Sequence, residues 1–281
     1  MMVGTDGVDR SINLQFWERV LAVATATTDV VGTELLTLFG RVQATEKADG
    51  SLVTRADQWA DQALREAIAQ AFPDHGILSE ESTHVFPGTD WCWVIDPIDG
   101  TTNFTRGIPL WGISLGLLYR GTPVFGYVYL PPIQTQFHGY WYGDSGLQGP
   151  TGAFCQAEAI APSPAAPSSN QLFNVCARSL AVLQQPLPCK IRMLGVATYN
   201  LLTVASGTTL GSVEATPKIW DIAAVWAIAQ AAGATWHSLR PDPIFPLVVG
   251  QNYAQISYPT LLLSQASLLP TFLPLVQGIK P

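Results

Sequence analysis

The densest run of apolar positions lies at residues 91–95, where aromatic and β-branched side chains follow one another without a charge. Such a run predicts a buried strand. Pro97 has no backbone N–H to donate to a sheet, so we expect this strand to end at about Asp96. Gly100 and the two threonines after it predict a tight turn into a short helix with unpaired first N–H groups. The pattern thus predicts that Asp96 and Asp99 meet an anion-binding helix start.

Helical spacing of apolar residues predicts two helices before this run. The first covers residues 13–39, with Asn13 as its N-cap, either unbroken or interrupted near Gly32. The second runs from Asp57 to about Phe72. Short apolar runs bounded by turn residues predict strands at 52–53, 77–78, 112–119, 123–130 and 136–142. The last three predict an antiparallel meander.

The second half alternates shorter runs of both kinds. Apolar stretches predict strands at 172–176, 193–195, 211–215 and 260–263 and helices at 197–205 and 267–276, the last one broken. A further helix opens at Trp220 and lacks charge from Ile222 to Gly233, so it should be buried on most sides. Residues 159–170 are rich in proline, serine and alanine and predict a linker. We therefore expect one domain, 1–281, with halves at 1–158 and 171–281.

Composition narrows the classes of protein. Of 281 residues, 48% are hydrophobic and 12% charged, which indicates a compact globular chain. The net charge of −7 argues against a nucleic-acid or anionic-membrane surface, and no uninterrupted apolar run is long enough to span a bilayer. Asp6 and Asp9 argue against a secretory signal. The four cysteines lack paired spacing, which favours a reducing, cytoplasmic compartment without disulfides or a zinc site.

The two aspartates that follow the central run suggest a chemistry. Carboxylates alone repel a phosphate, and they repel each other. A divalent cation resolves both conflicts, because Asp96 and Asp99 can bind the metal while the metal binds the phosphate. The stretch therefore predicts metal-assisted phosphoryl chemistry.

The segment Asp-Pro-Ile-Asp-Gly-Thr-Thr-Asn-Phe at 96–104 resembles the signature of the inositol monophosphatase family of magnesium-dependent, lithium-sensitive phosphatases. Three further stretches are similar to family motifs: the run from Lys47 to Asp57, Ser79-Glu80-Glu81, and Trp220-Asp221. Ser79 stands where the family usually has glycine. The resemblance covers about residues 14–264 and implies the layered αβαβα sandwich, an α+β fold shared with fructose-1,6-bisphosphatase.

The resemblance also implies the roles of the site residues. Metal ligands for two or three Mg²⁺ ions would be Glu80, Asp96, Asp99, Asp221 and the backbone carbonyl of Ile98. Thr101, oriented by Asp57, would position the attacking water, with Glu80 as the third catalytic residue. The implied substrate-binding residues are Asp99, Gly100, Thr101, Thr102, Gly195, Glu214 and Asp221, with the backbone N–H groups of 100–102 holding the phosphate. From its position we expect Lys218 to form the pocket wall together with Glu214.

Simpler interpretations of these residues remain open. Asp57 and Asp221 could be plain helix N-caps. Glu80 and Glu81 could lie on a solvated loop, and Lys47 could be a surface lysine or act near the waters of a third metal. Glu214 could be an exposed polar residue at a strand end. Lys218, which departs from the inositol-type pattern, could meet a second anionic group of the substrate or pair with Glu214.

These observations favour a magnesium-dependent phosphomonoesterase that acts on inositol 1-phosphate or a similar small polyol or sugar phosphate. A histidinol-phosphate phosphatase or another sugar-phosphate phosphatase is the alternative of the same kind. A non-catalytic phosphate-binding relative is a third reading, which the presence of every metal ligand and of Thr101 disfavours. The expected partner is a small phosphomonoester, with neither nucleic acid nor membrane, and the resemblance implies a homodimer.

Overall fold

The computed structural model describes residues 13–47, 50–183 and 186–279. Asp49 of the run from Lys47 to Asp57, and Asp6 and Asp9, lie outside these residues. The helices are α1 (Leu14–Leu38), α2 (Arg55–Ala71), α3 (Thr101–Arg106), α4 (Ala177–Leu180), α5 (Ala197–Ala205), α6 (Ile219–Ala232) and α7 (Leu269–Val276). Short 3₁₀ turns cover Pro131–Ile133 and Ala266–Leu268.

The strands form two large sheets and one small pair. They are β1 (Thr45–Glu46), β2 (Leu52–Val53), β3 (Gly76–Ser79), β4 (Trp91–Asp99), β5 (Gly112–Tyr119), β6 (Thr122–Leu130), β7 (Thr135–Tyr140), β8 (Gly152–Cys155), β9 (Glu158–Ala159), β10 (Leu172–Val175), β11 (Lys190–Arg192), β12 (Gly211–Glu214), β13 (Thr235–Ser238) and β14 (Thr260–Leu263). The seven-stranded sheet has the order β3-β4-β5-β6-β7-β8-β9, and the five-stranded sheet the order β11-β10-β12-β14-β13.

Five layers alternate between helix and sheet, as predicted. Helices α1 and α2 cover one face of the seven-stranded sheet, where Trp93 and Ile95 of β4 join their core. The alternate residues of β4, Cys92 and Val94, point to the opposite core, which α5 and α6 fill between the two sheets. Helix α7 covers the outer face of the five-stranded sheet through Phe272. Burial on both faces explains why β4 is a continuous apolar run.

Glycines let α6 lie close against the seven-stranded sheet. Gly116, Gly126 and Gly139 are neighbours across three antiparallel strands. A Cβ at Gly116 would lie 2.9 Å from the backbone nitrogen of Ala224, and one at Gly139 would lie 2.9 Å from the Cα of Ile228. Any larger residue at these positions would push α6 away from the sheet. The glycine row therefore sets the position of α6 and of Asp221 at its beginning.

Helix α1 is unbroken and is capped by Asn13, whose side chain accepts a hydrogen bond from the backbone of Phe16. Within the described residues it is the one helix long and apolar enough, by length and composition, to cross a membrane. This property is weak evidence for a membrane span, because core helices of soluble proteins and signal sequences meet the same test. Trp17 and Leu35 are fully buried against the sheet, so α1 is part of the outermost core layer.

The predicted end of the central strand is wrong. Strand β4 continues past Pro97 to Asp99, pairing Asp96 with Ser114 and Asp99 with Gly112 of β5. The pairing register shifts between these two points. Pro97 lies inside this irregularity, where no ladder hydrogen bond from its nitrogen is needed, so the strand tolerates it.

The largest departures from the predicted elements lie after residue 150. The residues at 193–195 are not a strand; the edge strand is β11, which ends at Arg192. Strands β8, β9 and β13 and helix α4 were not predicted, because each has four residues or fewer and little periodicity. Strand β9 takes the first residue of the expected linker, and the division into halves stays a prediction.

Candidate active site

Three aspartates from two elements converge on one point. Asp96 and Asp99 lie at the end of β4, and Asp221 lies in the first turn of α6. One carboxylate oxygen from each lies within 4.8 Å of the other two. Asp96 is buried and also accepts a hydrogen bond of 3.0 Å from the backbone N–H of Ile98. The strand irregularity at Pro97 thus turns both aspartates of β4 toward the same space.

The beginning of α5 holds Asp99 in place. Its Oδ2 accepts hydrogen bonds from the backbone N–H of Thr198 at 2.7 Å and from the Thr198 hydroxyl at 2.5 Å. Its Oδ1 accepts from the backbone N–H of Ala197 at 3.2 Å. The first N–H groups of α5 have no helical acceptor, and the carboxylate supplies one.

Asp221 is not the N-cap of α6. The N-cap is Lys218, and Asp221 is the third residue of the helix, where its Oδ2 accepts a hydrogen bond of 2.5 Å from the backbone N–H of Lys218. Asp57 likewise is the third residue of α2, after the N-cap Thr54. In both cases the acid reaches back to the N-cap nitrogen with one oxygen. The remaining oxygen is therefore available to the site.

Burial raises the pKa of all three aspartates, and like charges add to the rise for Asp96 and Asp221. The pKa of Asp96 is raised by burial and then by the charges of Glu80, Asp99 and Asp221. The pKa of Asp221 is raised by burial and then by Asp99 and Glu80. Burial also raises the pKa of Asp99, although the hydrogen bonds from Thr198 oppose it. These carboxylates thus repel one another in a poorly solvated space.

A divalent cation fits this cluster. In the part of the chain that the structure describes, no basic side chain forms an ion pair with Asp96, Asp99 or Asp221. The donors are all oxygens, which suit Mg²⁺ or Ca²⁺ rather than zinc. The cluster therefore has the ligand type and the uncompensated charge that such an ion would neutralise.

Glu80 lies beside Asp96 but has a cation of its own. The Lys47 ammonium lies 3.0 Å from Glu80 and 2.7 Å from Glu81. Burial alone would lower the pKa of Lys47, but the charges of both glutamates outweigh it and raise that pKa. Burial and repulsion from Glu80 raise the pKa of Glu81 to about 7, against the opposing effect of Lys47. The solvated-loop interpretation is wrong for Glu81, whose side chain is 6% exposed, and the side chains of Glu80 and Lys47 are partly buried, at 18% and 25% exposed.

Thr101 contacts Asp57, as the resemblance implies. The Thr101 hydroxyl lies 3.2 Å from Oδ1 of Asp57 and 3.1 Å from the carbonyl oxygen of Ile98. The other oxygen of Asp57 accepts from the backbone N–H of Thr54 at 2.8 Å and from its hydroxyl at 2.5 Å. Burial raises the pKa of Asp57, and these Thr54 contacts oppose the rise. One carboxylate oxygen of Asp57 is thus held by Thr54, and the other contacts the Thr101 hydroxyl.

Two cavities meet at the aspartate cluster. The first, of about 560 Å³, is lined by the metal-site candidates Glu80, Asp96, Ile98, Asp99 and Asp221, and by Gly100, Thr101, Thr102 and Lys218. The second, of about 590 Å³, is lined by Gly195 and Glu214. Asp99, Asp221, Arg178 and Thr216 line both cavities. The sequence-predicted residues are therefore divided between two adjoining spaces.

Glu214 and Lys218 do not line the same cavity. Glu214 is 5% exposed, not an exposed strand-end residue, and it accepts a hydrogen bond of 2.7 Å from the Asn200 side chain. Burial raises the pKa of Glu214 to about 8, with repulsion from Asp99 adding to it and the Asn200 bond opposing. Lys218 lines only the first cavity, and no ion pair joins it to Glu214 among the described residues.

Several residues at the site were not predicted. Thr198 donates to Asp99, Asn200 donates to Glu214, and Arg178 lines both cavities and donates to the Thr216 hydroxyl at 2.8 Å. Asn103 donates from its side chain to the carbonyl of Leu194 at 2.8 Å, tying α3 to the second half. Nothing in the sequence pattern marks Thr198, Asn200 or Arg178, because their partners lie far away along the chain, whereas Asn103 lies within the motif at 96–104.

Comparisons with known proteins agree with this geometry. A family model described as "Inositol monophosphatase family" matches residues 17–265. The chain is 33% identical over 240 residues to an inositol-1-monophosphatase of Synechocystis sp., covering 83% of this chain and 82% of that protein. It is 29% identical over 231 residues to a histidinol-phosphatase of Chlorobaculum parvum, covering 78% and 86%. A solved IMPase structure from Thermotoga maritima has a TM-score of 0.76 at 26% identity, covering 93% and 98%.

The family match spans both sheets and every site residue discussed above. The match to the Thermotoga structure covers 93% of this chain and therefore includes the αβαβα layers. The sequence motif, the convergence of the three aspartates and these relatives all lead to one assignment. This chain belongs to the inositol monophosphatase family, and it is a phosphoric monoester hydrolase.

Proposed function

We propose that this protein is a magnesium-dependent phosphomonoesterase that hydrolyses inositol 1-phosphate or a similar small polyol or sugar phosphate. The observation that carries the proposal is the group of three aspartates with oxygens within 4.8 Å and no ion-paired cation among the described residues. Such a cluster costs free energy unless a cation neutralises it. A phosphate ester would then be attracted to a site that otherwise repels it.

The proposed metal ligands are Glu80, Asp96, Asp99, Asp221 and the carbonyl oxygen of Ile98. Mg²⁺ bound there would supply Lewis-acid stabilisation of phosphate oxygens and a water of lowered pKa. The number of ions, two or three, stays part of the proposal. Sensitivity to lithium, which the resemblance implies, would reflect competition for one of these sites.

Thr101 and Asp57 would orient the attacking water. A hydroxyl has one proton, and the charged carboxylate of Asp57 is a stronger acceptor than the Ile98 carbonyl. When the Thr101 proton points to Asp57, a lone pair of the Thr101 oxygen faces the cavity and can accept a proton from water. The Ile98 carbonyl oxygen would then accept no hydrogen bond from Thr101 and would be free to bind a metal ion. Thr101 is a poor base alone, so Asp57 would act through it as the proton acceptor.

The phosphate would lie against the beginning of α3. The first residues of a helix have backbone N–H groups without helical acceptors, and Gly100, Thr101 and Thr102 line the cavity there. Gly100 has a φ of 93°, which a residue with a side chain rarely adopts, and a Cβ there would lie 3.0 Å from Val196. The glycine thus permits the turn that would present these N–H groups.

The part of the substrate other than the phosphate would enter the second cavity, between Gly195 and Glu214. This cavity shares Asp99 and Asp221 with the first, so one ligand could extend across both. The Glu214 carboxyl, held by Asn200, would accept hydrogen bonds from sugar-ring hydroxyls. A histidinol-phosphate phosphatase is the alternative within the family, since one relative has that name. Lys218 would meet a second anionic group at the edge of the first cavity.

Phosphate release from a panel of esters tests the proposal. The panel contains inositol 1-phosphate, histidinol phosphate, a sugar phosphate and an aryl phosphate, each measured with Mg²⁺, with a chelator, and with Mg²⁺ restored. We expect hydrolysis that depends on Mg²⁺ and is fastest with the polyol ester. Equal rates with and without the chelator would contradict the metal mechanism, whereas a preference for histidinol phosphate would select the alternative. Location in the cytoplasm and dimer formation remain predictions.

A further inference from the structure

Helix α2 contains a second buried carboxylate, one turn after Asp57. Asp61 is 3% exposed, and its Oδ1 accepts a short hydrogen bond from the hydroxyl of Ser79, which is fully buried. Its Oδ2 forms an ion pair of 2.9 Å with the Nε of Arg65, one further turn along the helix. A buried carboxylate is costly unless it has such partners. The contact between Asp61 and Ser79 joins elements that are 18 residues apart.

Ser79 is the residue immediately before Glu80. It ends β3, where it pairs with Ile95 of β4, and its backbone N–H donates to the carbonyl of Thr83 at 2.8 Å. The backbone N–H of Glu80 donates to the carbonyl of Ile95 at 3.1 Å. The backbone around Glu80 is thus tied to β4 by main-chain bonds. Among the described residues, the hydrogen bond from the Ser79 hydroxyl to Asp61 is the side-chain hydrogen bond that joins the Glu80 loop to α2.

Asp57 and Asp61 therefore connect the same helix to two parts of the site. Residues four apart lie on one face of a helix, with Cβ atoms about 5–6 Å apart. Asp57 contacts Thr101, and Asp61 contacts the residue beside Glu80. Because the helix is rigid, the two contacts maintain the spacing between the Glu80 loop and Thr101.

We infer that Asp61 and Ser79 are positioning residues that hold Glu80 at the metal site through α2. This inference rests on the proposed role of Glu80 as a metal ligand. Neither residue faces the aspartate cluster as a ligand, and neither lines the first cavity. Groups that orient metal ligands commonly change metal affinity or activity by about 10- to 100-fold when they are removed. The serine in place of the family's usual glycine thus has a function in this chain.

Binding of Mg²⁺ to the full chain tests the inference, measured by titration calorimetry without substrate. We expect Ser79→Ala to weaken Mg²⁺ binding about tenfold. Asp61→Asn should stay close to wild type, because either orientation of the amide keeps a hydrogen bond to the hydroxyl, which both donates and accepts. Mg²⁺ needed for half-maximal hydrolysis should rise in Ser79→Ala in the same proportion.

Arg65→Ala is the matched control. It removes the other partner of Asp61 on the outer side of α2 and leaves the Ser79 contact in place. We expect a lower melting temperature for this variant but unchanged Mg²⁺ affinity. The inference is overturned if folded Ser79→Ala binds Mg²⁺ as tightly as wild type, or if Arg65→Ala weakens binding equally. A wild-type protein that binds no Mg²⁺ would overturn the proposed function as well.

Discussion

The two adjoining cavities have opposite characters. The first contains a group of acids that repel one another and lack a paired cation among the described residues, apart from Glu80 and Glu81 with Lys47. The second shares Asp99 and Asp221 with the first and adds one buried acid, Glu214, which accepts a hydrogen bond from Asn200. The rest of its wall is largely apolar, with Ile108, Leu110, Met193, Leu194, Val196 and Pro217. The acids of the first cavity therefore need a bound cation to offset their repulsion, whereas Glu214 in the second cavity does not.

This difference separates two tasks of a phosphatase. Charge in the first cavity would bind a metal and a phosphate whatever the phosphate is attached to. Shape and the Glu214 carboxyl in the second cavity would discriminate among leaving groups. Electrostatic groups at a reaction centre can change rates by orders of magnitude, whereas one hydrogen bond to a substrate hydroxyl contributes about 0.5–1.5 kcal/mol with an uncharged group and about 1.5–3 kcal/mol with a charged one. Variants in the two cavities should therefore differ both in the size and in the kind of their effects.

The largest effect is expected for Asp96→Asn and Asp221→Asn. Each removes a charge that would hold the ion, so Mg²⁺-dependent hydrolysis should fall by several orders of magnitude for every ester. In chelator, both variants should melt at a higher temperature than wild type, because one of the repelling buried charges is gone. Steady-state kinetics and thermal unfolding with and without Mg²⁺ measure both effects. A lower melting temperature in chelator would argue against uncompensated repulsion.

The next effect concerns the water-orienting pair. Thr101→Val keeps the shape but removes the hydroxyl, and we expect kcat to fall about 10²-fold or more with KM little changed. Thr101→Ser keeps the hydroxyl and serves as the control, with most of the activity retained. Asp57→Asn should resemble the valine variant in kcat. If Thr101→Val loses no more activity than Thr101→Ser, the hydroxyl has no part in the reaction.

A smaller and selective effect is expected in the second cavity. Glu214→Ala should lower kcat/KM for inositol 1-phosphate about tenfold, because it removes an acceptor for ring hydroxyls. An aryl phosphate, which has no such hydroxyls, should be hydrolysed nearly as fast as by wild type. The ratio of the two kcat/KM values is the measurement. Equal losses for both esters would place Glu214 in the common machinery instead.

The last effect is on stability as a function of pH rather than on activity. Burial raises the pKa of Glu214 to about 8, above that of the same group in an unfolded chain. As pH rises through the unfolded pKa of about 4.5, the unfolded state releases a proton that the folded state keeps, so stability falls until about pH 8. Glu214→Gln should lack this contribution and gain stability over wild type across that window. Urea unfolding at several pH values tests it, and parallel curves would contradict it.

Much of the fold could be predicted from the sequence. The long helix with its Asn13 cap, the strand Gly112–Tyr119 and the helix Ala197–Ala205 match their predicted bounds closely. These elements have long or regular apolar patterns that report burial directly. The predicted strand at 193–195 failed because a short apolar stretch there lines a cavity wall instead of a sheet. Pro97 does not end the strand, because the pairing register shifts at this point and no ladder hydrogen bond from residue 97 is needed.

The sequence by itself determined the layer order, the family and the identity of the acids, because local patterns and a nine-residue motif contain that information. Tertiary structure alone decided which acids are neutralised and which are not. Glu80 forms an ion pair with Lys47, whereas Asp96 forms none among the described residues, although each is an acid that follows an apolar run in the sequence. Partners such as Thr198 for Asp99, and Ser79 for Asp61, come from remote positions. Burial and pKa depend on that three-dimensional surrounding, which no local pattern encodes.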